Sequence, residues 1–542
     1  MLQRRAAFGI ALAGAVTLEA PAAPAAPAEW RPGAVCYEIF VRSFFDSDGD
    51  GVGDLNGLTE KLDYINDGDP RTGRDLGARC IWLMPVAESP SYHGYDVTNY
   101  YRIERDYGTN ADFKRLVNEA HRRGIRVLVD LVLNHASSEH PFFKDAVLHP
   151  NSPYRDWFVW SPTHPGVRNP WGGDNWHRSP VREEYYYGFF WSGMPDLNYH
   201  TPAVREEAMK VARYWLEEMG VDGFRLDAIP YLVEESGQVW HAAGTHQFLR
   251  EFAAEVRRVA PDAYTIGEVW DSIGSVLTYY PDQLDSYFAF EVSDAILEAV
   301  RSRSARGLLH PVLRLHRAVP AARWAPFLRN HDQTRAITAL GGDPARARLA
   351  ATILLTLPGL PFVYYGEELG MSGDKPDPRL RTPMQWRPGP AAGFTEGLAW
   401  EPLQPDSLTA NVAVQDADSG SLLNHYRRLI HLRDAQPALG AGTLLPLTTS
   451  HGAVAAYLRR APDGRTAVLV VVNLASAPLA DVTVQSGQPV LPPGRYALRN
   501  LLGGPAAASL RVSSTGQVGR FVPLPVLQPT QAYLLELATG GR

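Results

Sequence analysis

The sequence predicts an α/β fold: a (β/α)8 barrel (TIM barrel) with a subdomain inserted after its third strand and an antiparallel β-sandwich at the C-terminal end. Three observations predict it. Eight short apolar runs recur with helical stretches between them, one long interval follows the third run, and after about residue 439 the runs become close-spaced strands separated by turn residues. Continuous apolar strands alternating with helices belong to parallel sheets covered on both faces, and eight such units are the count of a closed barrel.

The runs are residues 35–41, 80–86, 125–132, 221–226, 263–267, 285–290, 325–328 and 360–365. The stretch 112–123 typifies the intervening helices. Phe113, Leu116, Val117 and Ala120 share one face, Asp112 stands where it can cap the start, and Gly124 stops the helix. Roughly ninety residues separate the third run from the fourth, too many for one helix. The insert, 136–196, is rich in Trp, Tyr, Pro and Gly. Residues 453–459, 466–473, 494–498 and 532–537 read as strands of the sandwich. The expected organisation is therefore an export signal over 1–28, the barrel over 29–135 and 197–439, the insert over 136–196 and the sandwich over 440–542.

The signal rests on Arg4 and Arg5, an apolar stretch over 6–18 too short to be a good membrane span, and an Ala/Pro stretch over 21–28. It predicts secretion, to the periplasm or the medium. The two cysteines, Cys36 and Cys80, precede neighbouring strands. A bridge is open to them, but cross-strand parallel pairs rarely have good bridge geometry, which favours reduced buried thiols. Acidic residues outnumber basic ones 59 to 52 and no dense Lys/Arg run occurs, so nucleic acid is not an expected partner. No segment beyond the signal is a membrane candidate, so no membrane partner is expected; a monomer is the expected state. The chain carries 13 Trp and 24 Tyr, whose flat faces suit sugar rings even though most will be core.

Barrel enzymes build their sites where strands end and loops begin. The third run ends in Asp130, Asn134 and His135, the fourth in Arg225 and Asp227, the fifth in Glu268 and Trp270, and the seventh in Asn330, His331 and Asp332. One Asp at a strand end is usually a cap or a structural ion pair. Four strands converging carboxylates on one rim call for a chemical reason, because burying like charges is costly. Glycoside hydrolysis supplies one: it needs two carboxyl groups flanking the scissile bond, about 5–5.5 Å apart in retaining enzymes. Asp227 and Glu268, on adjacent strands, are the candidates. Arg225, two residues before Asp227, points to the same side of its strand and is placed to keep that carboxylate ionised. Glu268 has no basic neighbour in sequence, and shielding by Val269 and Trp270 would raise its pKa as a proton donor requires.

These segments resemble the four signature regions of the α-amylase superfamily, glycoside hydrolase family 13, over about residues 35–439. The resemblance implies that Asp227 is the nucleophile, Glu268 the general acid/base and Asp332 the transition-state stabiliser. It places Tyr95, His135, Arg225 and His331 around the attacked glucose, with Tyr95 stacking on the ring. The segment Met194-Pro195-Asp196-Leu197-Asn198 resembles the family's fifth region in a form between those of oligo-1,6-glucosidases and neopullulanases. Ala228 after the nucleophile tends to accompany α-1,4 cleavage. Exo-acting relatives often close the donor end with an Asp three residues before the stacking Tyr, paired to an Arg. Here Tyr92 holds that place while Arg381 resembles the partner, so a more open donor end is expected. The implied activity is endo-cleavage of α-1,4 bonds in starch, maltodextrin or maltooligosaccharides. An α-glucosidase or maltooligosaccharide transglycosylase, and more remotely an inactive sugar-binding barrel, are the alternatives.

Asp46, Asp48, Asp50 and Asp54, at alternating positions with glycines between them, form an oxygen-rich loop that favours Ca2+, with Val52 giving its carbonyl. A solvated acidic turn is the alternative. Family members with similar loops bind calcium there, and many have a second calcium beside the residue matching Asn134.

Overall fold

The computed structural model describes residues 33–169, 172–235, 237–505 and 509–539, so the expected export signal lies outside the described residues. The barrel strands are β1 (Cys36–Ile39), β2 (Cys80–Leu83), β3 (Arg126–Leu131), β4 (Gly223–Leu226), β5 (Tyr264–Gly267), β6 (Ser286–Tyr287) and β7 (Phe362–Tyr364), all parallel, in the order β6-β5-β4-β3-β2-β1-β7. The run 325–328 stands between β6 and β7 without becoming a strand. Phe288 pairs with Ala325, and the Phe362 N–H donates to the Pro326 carbonyl at 2.9 Å, which closes the ring. Pro326 has no N–H to give the ladder, so this stave is reduced to isolated bonds.

Strand parity sets what faces inward. Cys36, Cys80, Trp82, Leu128, Tyr264, Ile266 and Phe362 form one cluster inside the barrel, while Tyr37, Ile39, Ile81, Leu83, Val127, Val129 and Phe224 join the core beneath the helices. Glu38, Asp130, Arg225, Asp227 and Glu268 carry the parity of the inward set. Cys36 and Cys80 are direct register partners with Cα atoms 4.3 Å apart, and they form a disulfide. This corrects the expectation of reduced thiols: two inward residues directly opposite one another in β1 and β2 lie closer than the general run of parallel pairs suggests.

Helix α1 (Asn110–Arg122) buries Phe113, Leu116, Val117 and Ala120 as expected. Its cap is Thr109 rather than Asp112; Asp112 sits at the third helical position and bonds back to the Thr109 N–H, a capping box. The insert holds a helix, Pro141–Leu148, and a three-stranded sheet of Trp160–Ser161, Tyr185–Tyr187 and Trp176–Arg178, with Phe143, Phe158 and Tyr186 in its core. The bridge between His135 and Asp196 ties its two ends together.

The C-terminal domain is a seven-stranded antiparallel sheet, with Val454–Arg460, Ala467–Asn473 and Gln531–Thr539 at its centre. Tyr457, Val468, Val470, Val472 and Leu534 pack on the barrel helices; Leu458, Leu469, Val471 and Leu535 face the other way, under Val482, Leu491, Leu524 and Leu527. Both faces are covered, which is why these antiparallel strands read as unbroken apolar runs. The second layer is thin: a two-stranded ribbon, Leu479–Ala480 with Val526–Leu527, and its flanking loops.

Candidate active site

One guanidinium organises the rim. Arg225, 1% exposed, donates from one terminal nitrogen to Asp130 at 2.7 and 2.9 Å and to Asp227 at 2.6 Å, and from the other to Glu268 at 2.7 Å. The Ala228 N–H adds a bond to Glu268 at 3.1 Å, and Ala228 holds a left-handed backbone (φ 47°) to give it. Asp332 faces this group from the loop after the seventh stave, with Arg381 at 2.9 Å and the His331 ring at 3.1 Å. Tyr95 completes the floor: its hydroxyl donates to Asp130 at 3.1 Å, and its ring stacks on His331 at 5.6 Å.

Asp227, Glu268 and Asp332 open into one cleft of about 850 Å³, walled by Tyr92, Tyr95, Phe190, Trp191, Tyr231 and Trp270. A volume of that order is typical of a small-molecule site. A separate cavity of about 200 Å³, between the insert and the barrel, is lined mainly by Tyr, Phe, Trp and aliphatic side chains and lacks this convergence of carboxylates.

The charges are unequal. Burial, with repulsion from Asp227 and Asp332, lifts Glu268 to about 6 against the pull of Arg225. Burial raises Asp227 as well, with Arg225 opposing, and lifts Asp130 to about 7. Burial acts on Asp332 too, but His331 and Arg381 outweigh it and hold this carboxyl well below the usual range. His331 is raised to about 9, because Asp332 and Glu38 overcome its burial. His135 is lowered to about 4 by burial, and its Nε2 faces the Tyr95 carbonyl at 3.2 Å.

The structure therefore gathers Asp227, Glu268, Asp332, Tyr95, His135, Arg225, His331 and Arg381 at one opening. Two local readings change. Trp270 is 54% exposed and stacks on Phe290, so it does not shield Glu268; the barrel mouth does. Glu268 also has a basic neighbour in space, the same Arg225 that serves Asp227. Tyr92 stacks on Trp400 at 5.4 Å, and Arg381 reaches Asp377 at 3.4 Å, so a carboxylate from Arg381's own segment stands at the donor edge. Neither Glu38 nor Asp377 belongs to a motif, so neither stands out in the sequence.

In the acidic loop, Asp46, Asp48 and Asp50 bring carboxylate oxygens within 4.8 Å of one another. Asp54 caps the helix Leu55–Glu60, accepting from Gly57, and also takes both the N–H and hydroxyl of Ser47. Val52 donates its N–H to Asp50 at 2.7 Å. The donor set is all oxygen, which fits a hard cation such as Ca2+. A second polar cluster lies between β3 and the insert. Asn134 donates to Asp196 at 3.2 Å, burial lifts Asp196 to about 8, and Glu234 is raised well above its ordinary value by burial and by Asp196. Asn134 Oδ1 and Glu234 Oε1 are buried without a hydrogen-bond partner. Asp196 stands in the fifth-region segment, but Glu234 carries no local signal.

Known proteins resemble this chain in sequence and overall structure. Residues 38–442 match the α-amylase catalytic domain. α-Amylase 3 of Dictyoglomus thermophilum is 40% identical over 450 residues, covering 82% of this chain and 85% of that protein. Trehalose synthase/amylase TreS of Mycolicibacterium smegmatis is 36% identical over 514 residues, 83% and 85% respectively. The crystal structure of an α-amylase from H. orenii superposes with a TM-score of 0.81 at 40% identity, covering 94% of this chain and all of that one.

Proposed function

The chain belongs to the α-amylase family, glycoside hydrolase family 13, and from that premise we propose that it endo-cleaves α-1,4-glucosidic bonds of starch and maltooligosaccharides with retention of configuration. The observation that carries the chemistry is Arg225 bridging Asp227 and Glu268 in a shared cleft. Asp227 attacks the anomeric carbon and displaces the leaving sugar. Glu268 gives that sugar's oxygen its proton, then takes one from water as the glucosyl–Asp227 ester is hydrolysed. Each carboxyl thus needs the opposite protonation state at the start. Glu268, lifted to about 6, holds a proton available for transfer, and Arg225 at 2.6 Å favours the anionic form of Asp227. Asp332, kept ionised, accepts sugar hydroxyls and favours the flattened, positively charged ring.

Tyr92 in place of a blocking Asp supports an open donor end, and Ala228 supports α-1,4 preference. The Arg381–Asp377 pair at the donor edge favours, as a second reading, an exo-acting α-glucosidase or a transglycosylase. Chromatography of products from soluble starch, maltotriose, isomaltose, pullulan and maltose separates them. Early release of mixed maltooligosaccharides from starch is expected; glucose alone, or conversion of maltose to another disaccharide, would overturn the endo-amylase reading.

Ca2+ is proposed at Asp46, Asp48 and Asp50, with Asp54 and the Val52 carbonyl, and at Asn134, Asp196 and Glu234. When bound it would neutralise clustered carboxylates and stiffen their loops. The first loop adjoins the segment that carries Arg381: Ser43 and Phe44 accept bonds from the backbone of Met384 and the ring of Trp386, and Asp46 accepts from Thr395. Secretion is proposed on the expected export signal over 1–28, and N-terminal sequencing of the mature protein from culture medium tests it.

A further inference from the structure

We propose that Glu38, on β1 and outside every signature motif, is a positioning residue that holds His331 as a doubly protonated donor beneath the attacked sugar. The proposal rests on the glycosidase reading for its consequence, but not for its physical content.

The hydrogen bonds dictate the protonation. Glu38 Oε1 lies 2.6 Å from His331 Nδ1, and both side chains are at most 2% exposed. A carboxylate facing a ring nitrogen makes that nitrogen a donor. On the other side of the ring, Nε2 is 2.7 Å from the Tyr95 hydroxyl and 3.1 Å from Asp332 Oδ2. Tyr95 spends its one hydroxyl hydrogen on Asp130, so toward His331 it can only accept. Asp332 accepts as well. Both ring nitrogens therefore face acceptors, and a neutral imidazole, with one N–H, would leave one of these contacts repulsive.

Burial alone would neutralise the ring. The other charged groups around it divide by sign. As cations, Arg225 and Arg381 oppose a further positive charge beside them, and Arg381 already spends its Nε–H on the His331 carbonyl at 3.1 Å. Asp332 and Glu38 favour it, with Asp130 behind Tyr95 and Asp227 also within electrostatic reach. Of these acids, Glu38 has no place in the bond-breaking step. Its parity on β1 points it into the barrel, where it bonds the ring. The charge it maintains has a use above: an imidazolium keeps Asp332 ionised and offers Nε2–H to whatever oxygen lies between them.

A plain structural pair joining β1 to the 331 loop would use the same contact, and pH separates the two roles. Glu38→Gln keeps the shape and an acceptor for Nδ1–H but removes the charge. The kcat/KM for soluble starch is measured from pH 5 to 8 for wild type and E38Q, with the melting temperature of each and the ¹⁵N histidine NMR titration of His331. With the charge gone, the folded pKa of His331 falls. The deficit of E38Q should therefore be about tenfold or more at pH 8 and shrink toward pH 5, where the ring regains its proton. The NMR midpoint should drop by about two units from its starting value of about 9, the shift that a tenfold deficit at pH 8 requires. An unchanged His331 midpoint, or a deficit of the same factor at every pH, overturns the proposal. If wild type does not cleave starch, the endo-amylase reading fails, and the NMR midpoint still decides the role of Glu38.

Discussion

Two buried arginine sites in this molecule use the same side chain for opposite ends. At the barrel mouth Arg225 is ringed by Asp130, Asp227 and Glu268 and is held firmly charged by them. At the junction with the C-terminal sheet, Arg433 and Arg459 donate only to carbonyls: Leu355, Leu357 and Gly359 for the first, Thr356 and Gly442 for the second. Four of these carbonyls lie at or just past the C-terminal end of helix α2 (Pro344–Thr356), where backbone acceptors lack partners of their own. Burial lowers both arginines, Arg433 further through repulsion from Arg459, and Arg459 to about 10. A buried guanidinium among carbonyls is mortar between domains. Among carboxylates that open on a cleft it sets proton positions, and chemistry follows.

The comparison is broken most severely at the mouth. Asp227→Asn and Glu268→Gln should each lower kcat by at least about a thousandfold while the melting temperature holds or rises, since a buried repulsion is relieved. A large melting loss in either variant would move these acids to the structural side. The junction should respond in reverse. Arg433→Met leaves three carbonyls unpaired and should cost about 3 kcal/mol of stability, with kcat of the remaining folded enzyme nearly unchanged, as read by denaturant titration beside activity.

Titration sharpens the contrast further. Glu268 must be protonated to act, and its pKa is raised to about 6, so kcat/KM should fall as pH rises through that value, and Glu268→Gln should abolish the dependence. No such limb should come from Arg433 or Arg459. The smallest effect concerns the acidic loops. EDTA should lower the melting temperature by roughly a few degrees, because a bound ion stabilises only the folded state. An unchanged curve with fully removed metal would leave Asp46, Asp48 and Asp50 as a solvated turn.

Much of the barrel and its mouth is legible in the sequence because inward parity on parallel strands is a strict rule. Asp130, Arg225, Asp227 and Glu268 follow from it and from their places at strand ends. Seven of the eight apolar runs form strands, and Pro326 explains the eighth. What the sequence hides depends on partners far apart in the chain. Glu38 meets His331 across 293 positions, and Asp196 meets Asn134 across 62. The Cys36–Cys80 bond follows from a register that sequence alone does not fix. Adjacency in the chain suggests that Trp270 buries Glu268, yet its ring turns to Phe290.

If the mouth works as described, Asp227 carries the sugar between the two halves of the reaction. Trapping with a slow fluorinated α-glucosyl fluoride, followed by peptide mass spectrometry, tests this directly. One glucosyl adduct is expected, on the peptide containing Asp227 and absent from Asp227→Asn. An adduct on another residue, or turnover giving β-configured products with no adduct, would contradict it.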